Sequence, residues 1–396
     1  MRVSRAQLEQ DLPPSATGVE TAVTLPSYCY TSIDFLTFEK EAVFARAWLC
    51  VGRQEEIPEA GDYFTVQILD EPLLVVRDRD GDVRVMSNVC RHRACLVAEG
   101  SGNGGRVFRC PYHWWVYDLD GRLIGAPEMD QTADFDMSEI RLPELAVEVW
   151  QGFIFANFEN DAAPLAPQLA KLDELLVNYH VGEMVTMPPE ILDRVDCNWK
   201  VMVENFIESY HSSRLHKGPH DFAPSSNAVW REDWADEEAC IFGWTVTTHP
   251  DGGFNPTMKA LFPPIPTLDT QERQKTMFAL VPPMLMIGLA VDHLFWFIGL
   301  PQSPNAISLR MAYCFPARTL ELELFDELYK MAIAGVDVFN QADLAANTSV
   351  QMGLHSKLAE RGRYSHQEAR LVQFNRWLVK RYLAAALTLD EANEQL

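Results

Sequence analysis

The sequence predicts an α+β protein: a small all-β domain, then a larger one in which helices cover one side of an antiparallel sheet, a helix-grip-like arrangement. Three observations lead there. From about 49 to 157 the chain alternates apolar and polar residues in short runs such as YFTVQIL, PLLVVRD and VRVMSNV, separated by Gly, Asp and Pro. From Cys240 onward come segments rich in β-formers, CIFGWTVTTH, TMFALV, MLMIGLAV, HLFWFIGL and ISLRMAYCFP, joined by tight turns. Apolar residues at helical spacing fill 31–47, 167–179, 198–215, 320–353 and 367–386. The expected division is an N-terminal segment, 1–48, loose to about Ser27 and then helical, packing on the large domain; a β domain, 49–157; and the large domain, 158–396.

Composition narrows the function. The 396 residues hold 33 Lys and Arg against 56 Asp and Glu, a formal charge of −23, and lack the basic stripe that tracks phosphates, which argues against nucleic acid. At 47% apolar and 22% charged, the chain lies outside the disordered regime. Its longest nearly uncharged apolar run, 277–291, is shorter than the roughly 18–20 residues of a membrane helix and is broken by Pro282 and Pro283. The opening MRVSRAQLEQDLPPSATG has no apolar stretch. A cytoplasmic location is expected, and there the eight cysteines are thiols or metal ligands rather than a disulfide frame.

The densest chemistry is Cys90-Arg-His92, seventeen residues, then Cys110-Pro-Tyr-His113. Two thiolates and two imidazoles on two loops suit a structural zinc ion. One Cys and one His per loop also suits a [2Fe–2S] cluster in which two Cys hold one iron and two His the other. The surrounding text, CRHRACLVAEGSG and FRCPYHWWVYDLDGRL, resembles the Rieske domain of Rieske non-heme iron oxygenases over about 49–157. One departure is Trp114, where the family usually has Gly after the second His. Cys95 falls outside the ligand pattern and reads as a packed thiol.

The second informative stretch is Asn198-Trp-Lys-Val-Met-Val-Glu-Asn-Phe-Ile-Glu-Ser-Tyr-His-Ser-Ser-Arg-Leu-His216. On a regular helix Glu204, Glu208 and His211 share a face, but His216 lies roughly 140° from His211. Both histidines reach one metal only if the helix bulges or ends between them. Glu208-x-x-His211 is half of a di-iron carboxylate site, but no second Glu-x-x-His exists. Two His plus one carboxylate is the facial triad of oxygen-activating Fe(II) sites. Asp343, in NQADLAANTSVQMGL, is the chosen acid because its distance from VQMGL resembles the family's C-terminal ligand motif; Asp337 is the runner-up, and a helix-capping Asp the plain alternative.

With NWK, EN, YH, H and the closing QEARLVQFNRWLVKRYL, the resemblance to the oxygenase (alpha) component of these enzymes covers most of the chain. It implies that Cys90, His92, Cys110 and His113 hold a Rieske [2Fe–2S] cluster and that His211, His216 and Asp343 hold a mononuclear Fe(II) that binds O₂. It further implies a head-to-tail homotrimer in which Glu208 links His211 to a cluster histidine of the neighbour. Most relatives use Asp there; Glu resembles the branch acting on carnitine and glycine betaine, and so favours monooxygenation. No dinucleotide fingerprint is present, so NAD(P)H electrons are expected through a ferredoxin or ferredoxin reductase.

Arg91, Arg93, Arg106 and Arg109 crowd the cluster loops, either to steer such an acidic partner or to brace the loops. Phe222, Trp230, Trp244, Met284, Met286, Phe295 and Phe297 are candidates for the wall of a small organic substrate's pocket, with plain core as the alternative. Nothing in their spacing shows an aromatic box for a quaternary ammonium group. His220, His249 and His293 read as surface or hydrogen-bonded residues. The expected function is an oxygenase that hydroxylates or oxidatively dealkylates a small molecule, an N-methyl, quaternary ammonium or aromatic compound. The alternatives are cis-dihydroxylation of an aromatic ring and a Rieske electron carrier.

Overall fold

The computed structural model describes residues 4–218, 220–230 and 240–394, with side chains through 387. They divide into two compact units, Trp48–Pro164 and a second formed by Met1–Ala47 with Leu165–Leu396.

The first unit is all β. Leu49–Arg53, Phe153–Asn157 and Ala146–Trp150 form one antiparallel sheet; Val83–Ser87, Glu71–Arg77, Asp62–Ile68 and Ser101–Asn103 a second; Val107–Arg109, Val116–Asp118 and Leu123–Gly125 a third. Alternation aims Leu74, Val76, Met86, Phe108, Tyr117 and Leu123 into one core. The unit runs past Asn157 to Pro164 because the Trp48 Nε1–H donates to the Ala163 carbonyl at 2.9 Å, tying the exit segment to the unit's start.

The second unit contains an antiparallel sheet. From one edge, Met184–Thr186 and Glu190–Val195 both pair with Ala306–Pro316, followed by Leu294–Ser303, Leu285–Leu289, Lys275–Val281, Ile241–Val246 and Ala228–Trp230. Register fixes its faces. Phe278 pairs with Gly288, Gly288 with Phe295, Met286 with Phe297 and Phe297 with Met311, so these side chains share one face. Gly288 is needed there because a Cβ would lie 2.0 Å from the Phe295 ring. The helices Trp199–Ile207, Phe325–Leu354 and Ala369–Glu394 belong to the same unit.

Three helical expectations need correction. The first residues are ordered: Ser4 caps Arg5–Asp11 by accepting from the Gln7 N–H, and Leu8 and Leu12 are buried. The 31–47 helix is α only over Ile33–Glu39 before a wider π turn, Lys40–Phe44. The 198–215 helix is broken, Trp199–Ile207 ending where Glu208 turns extended (φ −104, ψ 154) and Ser212–Leu215 forming a separate turn. Glu204 therefore does not share a face with His211; it accepts a 2.6 Å hydrogen bond from the Tyr30 hydroxyl.

Burial raises Glu204 to about 7, against the lowering pull of Tyr30 and Lys200. A folded pKa above the unfolded value of 4.5 means that the fold holds a proton the unfolded chain releases, so stability falls as pH rises from about 4.5 to 7. Glu204→Gln is expected to match the parent in urea unfolding near pH 4.5 and exceed it by on the order of 2 kcal/mol at pH 8. A gap that does not change with pH contradicts this.

Each of the eight cysteines is free. Among the described residues no helix is long and apolar enough to cross a membrane.

Candidate metal centres and pocket

In the β unit, Cys90 and His92 follow the Val83–Ser87 strand, while Cys110 and His113 lie in the turn between Val107–Arg109 and Val116–Asp118. The two loops close alike. The Cys90 N–H donates to the Cys95 carbonyl at 2.9 Å and the Ala94 N–H to that of Cys90 at 3.0 Å; Cys110 with Trp115 and Trp114 with Cys110 repeat this at 2.8 and 3.0 Å. Ala94 and Trp114 take left-handed φ of 58° and 62°. Trp114 thus stands where Gly would be relaxed, which gives the departure from the family pattern its physical meaning. Its ring is 59% exposed and lies 4.9 Å from the Arg109 guanidinium. Arg91, Arg93 and Arg106 are also exposed.

The thiols of Cys90 and Cys110 are buried, with the Tyr117 hydroxyl 3.3 Å from Cys90 Sγ. The imidazoles of His92 and His113 are partly exposed, their Nδ1 atoms 3.2 Å apart. Donors around a single tetrahedral zinc sit roughly 3.5 Å from one another. Among the described residues, the group of three or more donors within 4.8 Å of one another is instead His211, His216 and Asp343. Paired thiols and paired imidazoles that do not converge on one point fit a two-iron cluster better than one ion. Cys95 packs against the core around the loops.

His211 and His216 flank the Ser212–Leu215 turn, so the break at Glu208 solves the angular problem posed by a regular helix. Asp343 Oδ1 lies 3.5 Å from His211 Nε2 and 3.0 Å from His216 Nε2. Donors sharing an ion at roughly 2.1 Å sit roughly 3 Å apart, so these fit one metal. Glu208 hydrogen-bonds His211 twice, its Oε1 to Nδ1 and its Oε2 accepting the backbone N–H at 3.1 Å. Holding Nδ1 fixes the tautomer that presents the Nε2 lone pair. Asp337 is exposed and accepts from Gln341 at 3.2 Å, away from the histidines.

A polar ladder sets the register of Asp343. The Asn198 N–H donates to Gln351 Oε1 at 2.9 Å, Asn347 Nδ2 meets Met202 Sδ at 3.6 Å, and Asn205 Nδ2 donates to Asp343 Oδ1 at 3.2 Å. Its signal was present in the sequence, since Asp343, Asn347 and Gln351 recur every four residues on one helix face.

These groups open on a cavity holding about 900 Å³ of space free of atoms, part of it open to solvent. Phe295 and Phe297 line it, joined by Phe206, Phe254, Phe278 and Phe339, which sequence reasoning missed. The other five candidates do not. Trp244 pairs with Met277, one residue out of phase with the cavity face. Trp230 donates to Gln373 at 3.1 Å on the edge strand. Met284 and Met286, on the turn and strand beyond the cavity, are fully buried core, as is Phe222. His220, expected at the surface or hydrogen-bonded, instead lines the cavity with its Nδ1 buried and unpartnered; burial, then His216, lower it to about 4. His249 and His293 are hydrogen-bonded, to Met258 at 2.9 Å and Asp292 at 2.7 Å.

Residues 47–141 match the Rieske [2Fe-2S] domain, and residues 176–384 match the ring hydroxylating alpha subunit (catalytic domain). The chain belongs to this family of Rieske oxygenase alpha subunits. The two domains imply a Rieske cluster and a mononuclear iron. The carnitine monooxygenase oxygenase subunit of Acinetobacter pittii is 34% identical over 50% of this chain and 54% of its own length. The chloroplastic choline monooxygenase of Arabidopsis thaliana is 29% identical over 90% of this chain and 82% of its own. The match thus spans about half the length of the carnitine relatives. The crystal structure of a quaternary ammonium Rieske monooxygenase superposes with a TM-score of 0.78, at 23% identity over 96% of this chain and 99% of that one. At that identity the likeness shows the fold.

Proposed function

We propose that the chain is the terminal oxygenase of a multicomponent system that uses O₂ to hydroxylate or oxidatively dealkylate a small organic substrate. The single observation that carries this is the His211, His216 and Asp343 cluster on the wall of an apolar cavity, in a chain that also has a Rieske domain. In this reading Cys90, His92, Cys110 and His113 hold the [2Fe–2S] cluster and the three-residue cluster holds Fe(II). When bound, the cluster supplies single electrons and the ferrous ion binds O₂. Glu208 orients His211 and holds the Nδ1 proton, and across a homotrimer interface its carboxylate reaches a cluster histidine of the neighbour. The phenylalanines exclude water and hold the substrate's apolar part. Electrons come from NAD(P)H through a ferredoxin or reductase, for which the exposed arginines of the two cluster loops offer a positive docking face, and the setting is cytoplasmic.

Carnitine and choline monooxygenase relatives, together with Glu208, support insertion of one oxygen atom. The phenylalanine wall equally suits a planar ring, so cis-dihydroxylation is the second reading. Reconstitution with iron and sulfide under nitrogen should give three irons per chain. Single turnover under ¹⁸O₂ with trimethylammonium compounds and substituted benzoates then counts the atoms incorporated. Two irons and no turnover indicate an electron carrier instead. Glu208→Gln is expected to keep all three irons while product per cluster oxidised falls by at least roughly tenfold; unchanged yield removes Glu208 from the electron path.

A further inference from the structure

Arg370 is the second residue of the Ala369–Glu394 helix, lines the cavity and is 4% exposed. Its guanidinium makes no hydrogen bond or ion pair among the described residues, and Nη1 is fully buried without a partner. Gly243 makes room for it, since a Cβ there would lie 3.2 Å from Nη1. Burial lowers Arg370 to about 10, which leaves it cationic at neutral pH.

Neither acid that lines the cavity makes an ion pair with it, although the Glu208 carboxylate favours its charged form from farther away. Each Glu208 oxygen hydrogen-bonds His211, and Asp343 Oδ1 faces His211, His216 and Asn205. A buried guanidinium with no carboxylate in contact is unfavourable, and its planar fork matches a carboxylate in two-point contact. Six phenylalanines with Met202, Leu309 and Met311 make most of the apolar lining, and Asn205, Thr245 and Asn340 are among its polar residues, so the matching ligand has one anionic end and a largely apolar body.

We propose that Arg370 binds the carboxylate of the substrate, so that the oxygenase proposed above, on which this rests, acts on small organic acids. Arg370 then determines specificity, turning the substrate so that its apolar part lies among the phenylalanines beside the histidines. Neutral hydrocarbons and simple cations such as choline leave the guanidinium unpaired and are poor ligands.

The test is anaerobic calorimetry on the iron-loaded protein with matched pairs, benzoate against benzamide and glycine betaine against its amide. At least one carboxylate is expected to bind roughly 10- to 100-fold more tightly than its amide. Arg370→Met should abolish that preference while leaving amide binding and iron content unchanged and the ligand-free thermal midpoint at or above the parent's, and Arg370→Lys should keep part of it. Equal binding of acid and amide by the parent, no carboxylate binding at 10 mM probe, or a preference that survives in Arg370→Met each overturn the inference. Because binding is read without turnover, acid preference in a protein that consumes no O₂ leaves the inference standing and fails the oxygenase reading alone. Loss of preference with intact turnover does the reverse.

Discussion

Asp343→Ala is expected to carry two irons per chain where the parent carries three, and to lose turnover to background. Asp343 supplies the carboxylate that both Nε2 atoms face, at 3.5 and 3.0 Å, and two imidazoles alone are a weak site for Fe(II). The proposed cluster ligands lie in the other unit, so the reduced cluster's electron paramagnetic resonance signal should persist at full intensity. Asp337→Ala is the matched control, being on the same helix but exposed, and should behave as the parent. Three irons and normal turnover in Asp343→Ala would discard the triad as drawn. Iron loss in Asp337→Ala as well would point to general damage to the helix rather than a lost ligand.

The largest stability effect is expected at Lys200. Its ammonium and the Glu39 carboxylate are both fully buried and 2.7 Å apart, with the Tyr382 hydroxyl and the Trp199 Nε1–H, at 3.3 Å, also on Glu39. Lys200→Met removes one charge and strands the other in a low-dielectric interior, which costs about 3–5 kcal/mol. Urea denaturation of the apo-protein should show that loss. Combining Lys200→Met with Glu39→Leu should recover much of it, because no lone charge remains. Neither residue lines the cavity, so substrate binding by whatever Lys200→Met protein stays folded should be unchanged. A loss below about 1 kcal/mol would mean that water reaches the pair.

Much of this was legible in the chain. The alternating runs of the β domain, the β-rich block after Cys240 and the ligand-like spacing around Cys90 and Cys110 are local patterns, and local patterns survive in a string of letters. The break at Glu208 was foreseen as a requirement, since two histidines five apart cannot share a regular helical face, although its position was not. The cavity wall was read poorly. Phe206, Phe254 and Phe339 come from a helix, a loop and another helix, and nothing within any one of them marks them as neighbours. Trp244 failed as a wall residue because strand register, not residue type, assigns the face.

The sequence by itself determined the fold class, the two-plus-two spacing of Cys and His and the short list of candidate carboxylates, all properties of residue type and spacing within one segment. Only the tertiary structure decided that Asp343 meets the histidines, because the ladder from Asn198·Gln351 to Asn205·Asp343 fixes how two helices far apart in the chain slide against each other. It alone revealed Arg370 as a buried cation that makes no ion pair among the described residues. Whether a charge is paired depends on every group that folding brings near it, and no single stretch of sequence contains that information.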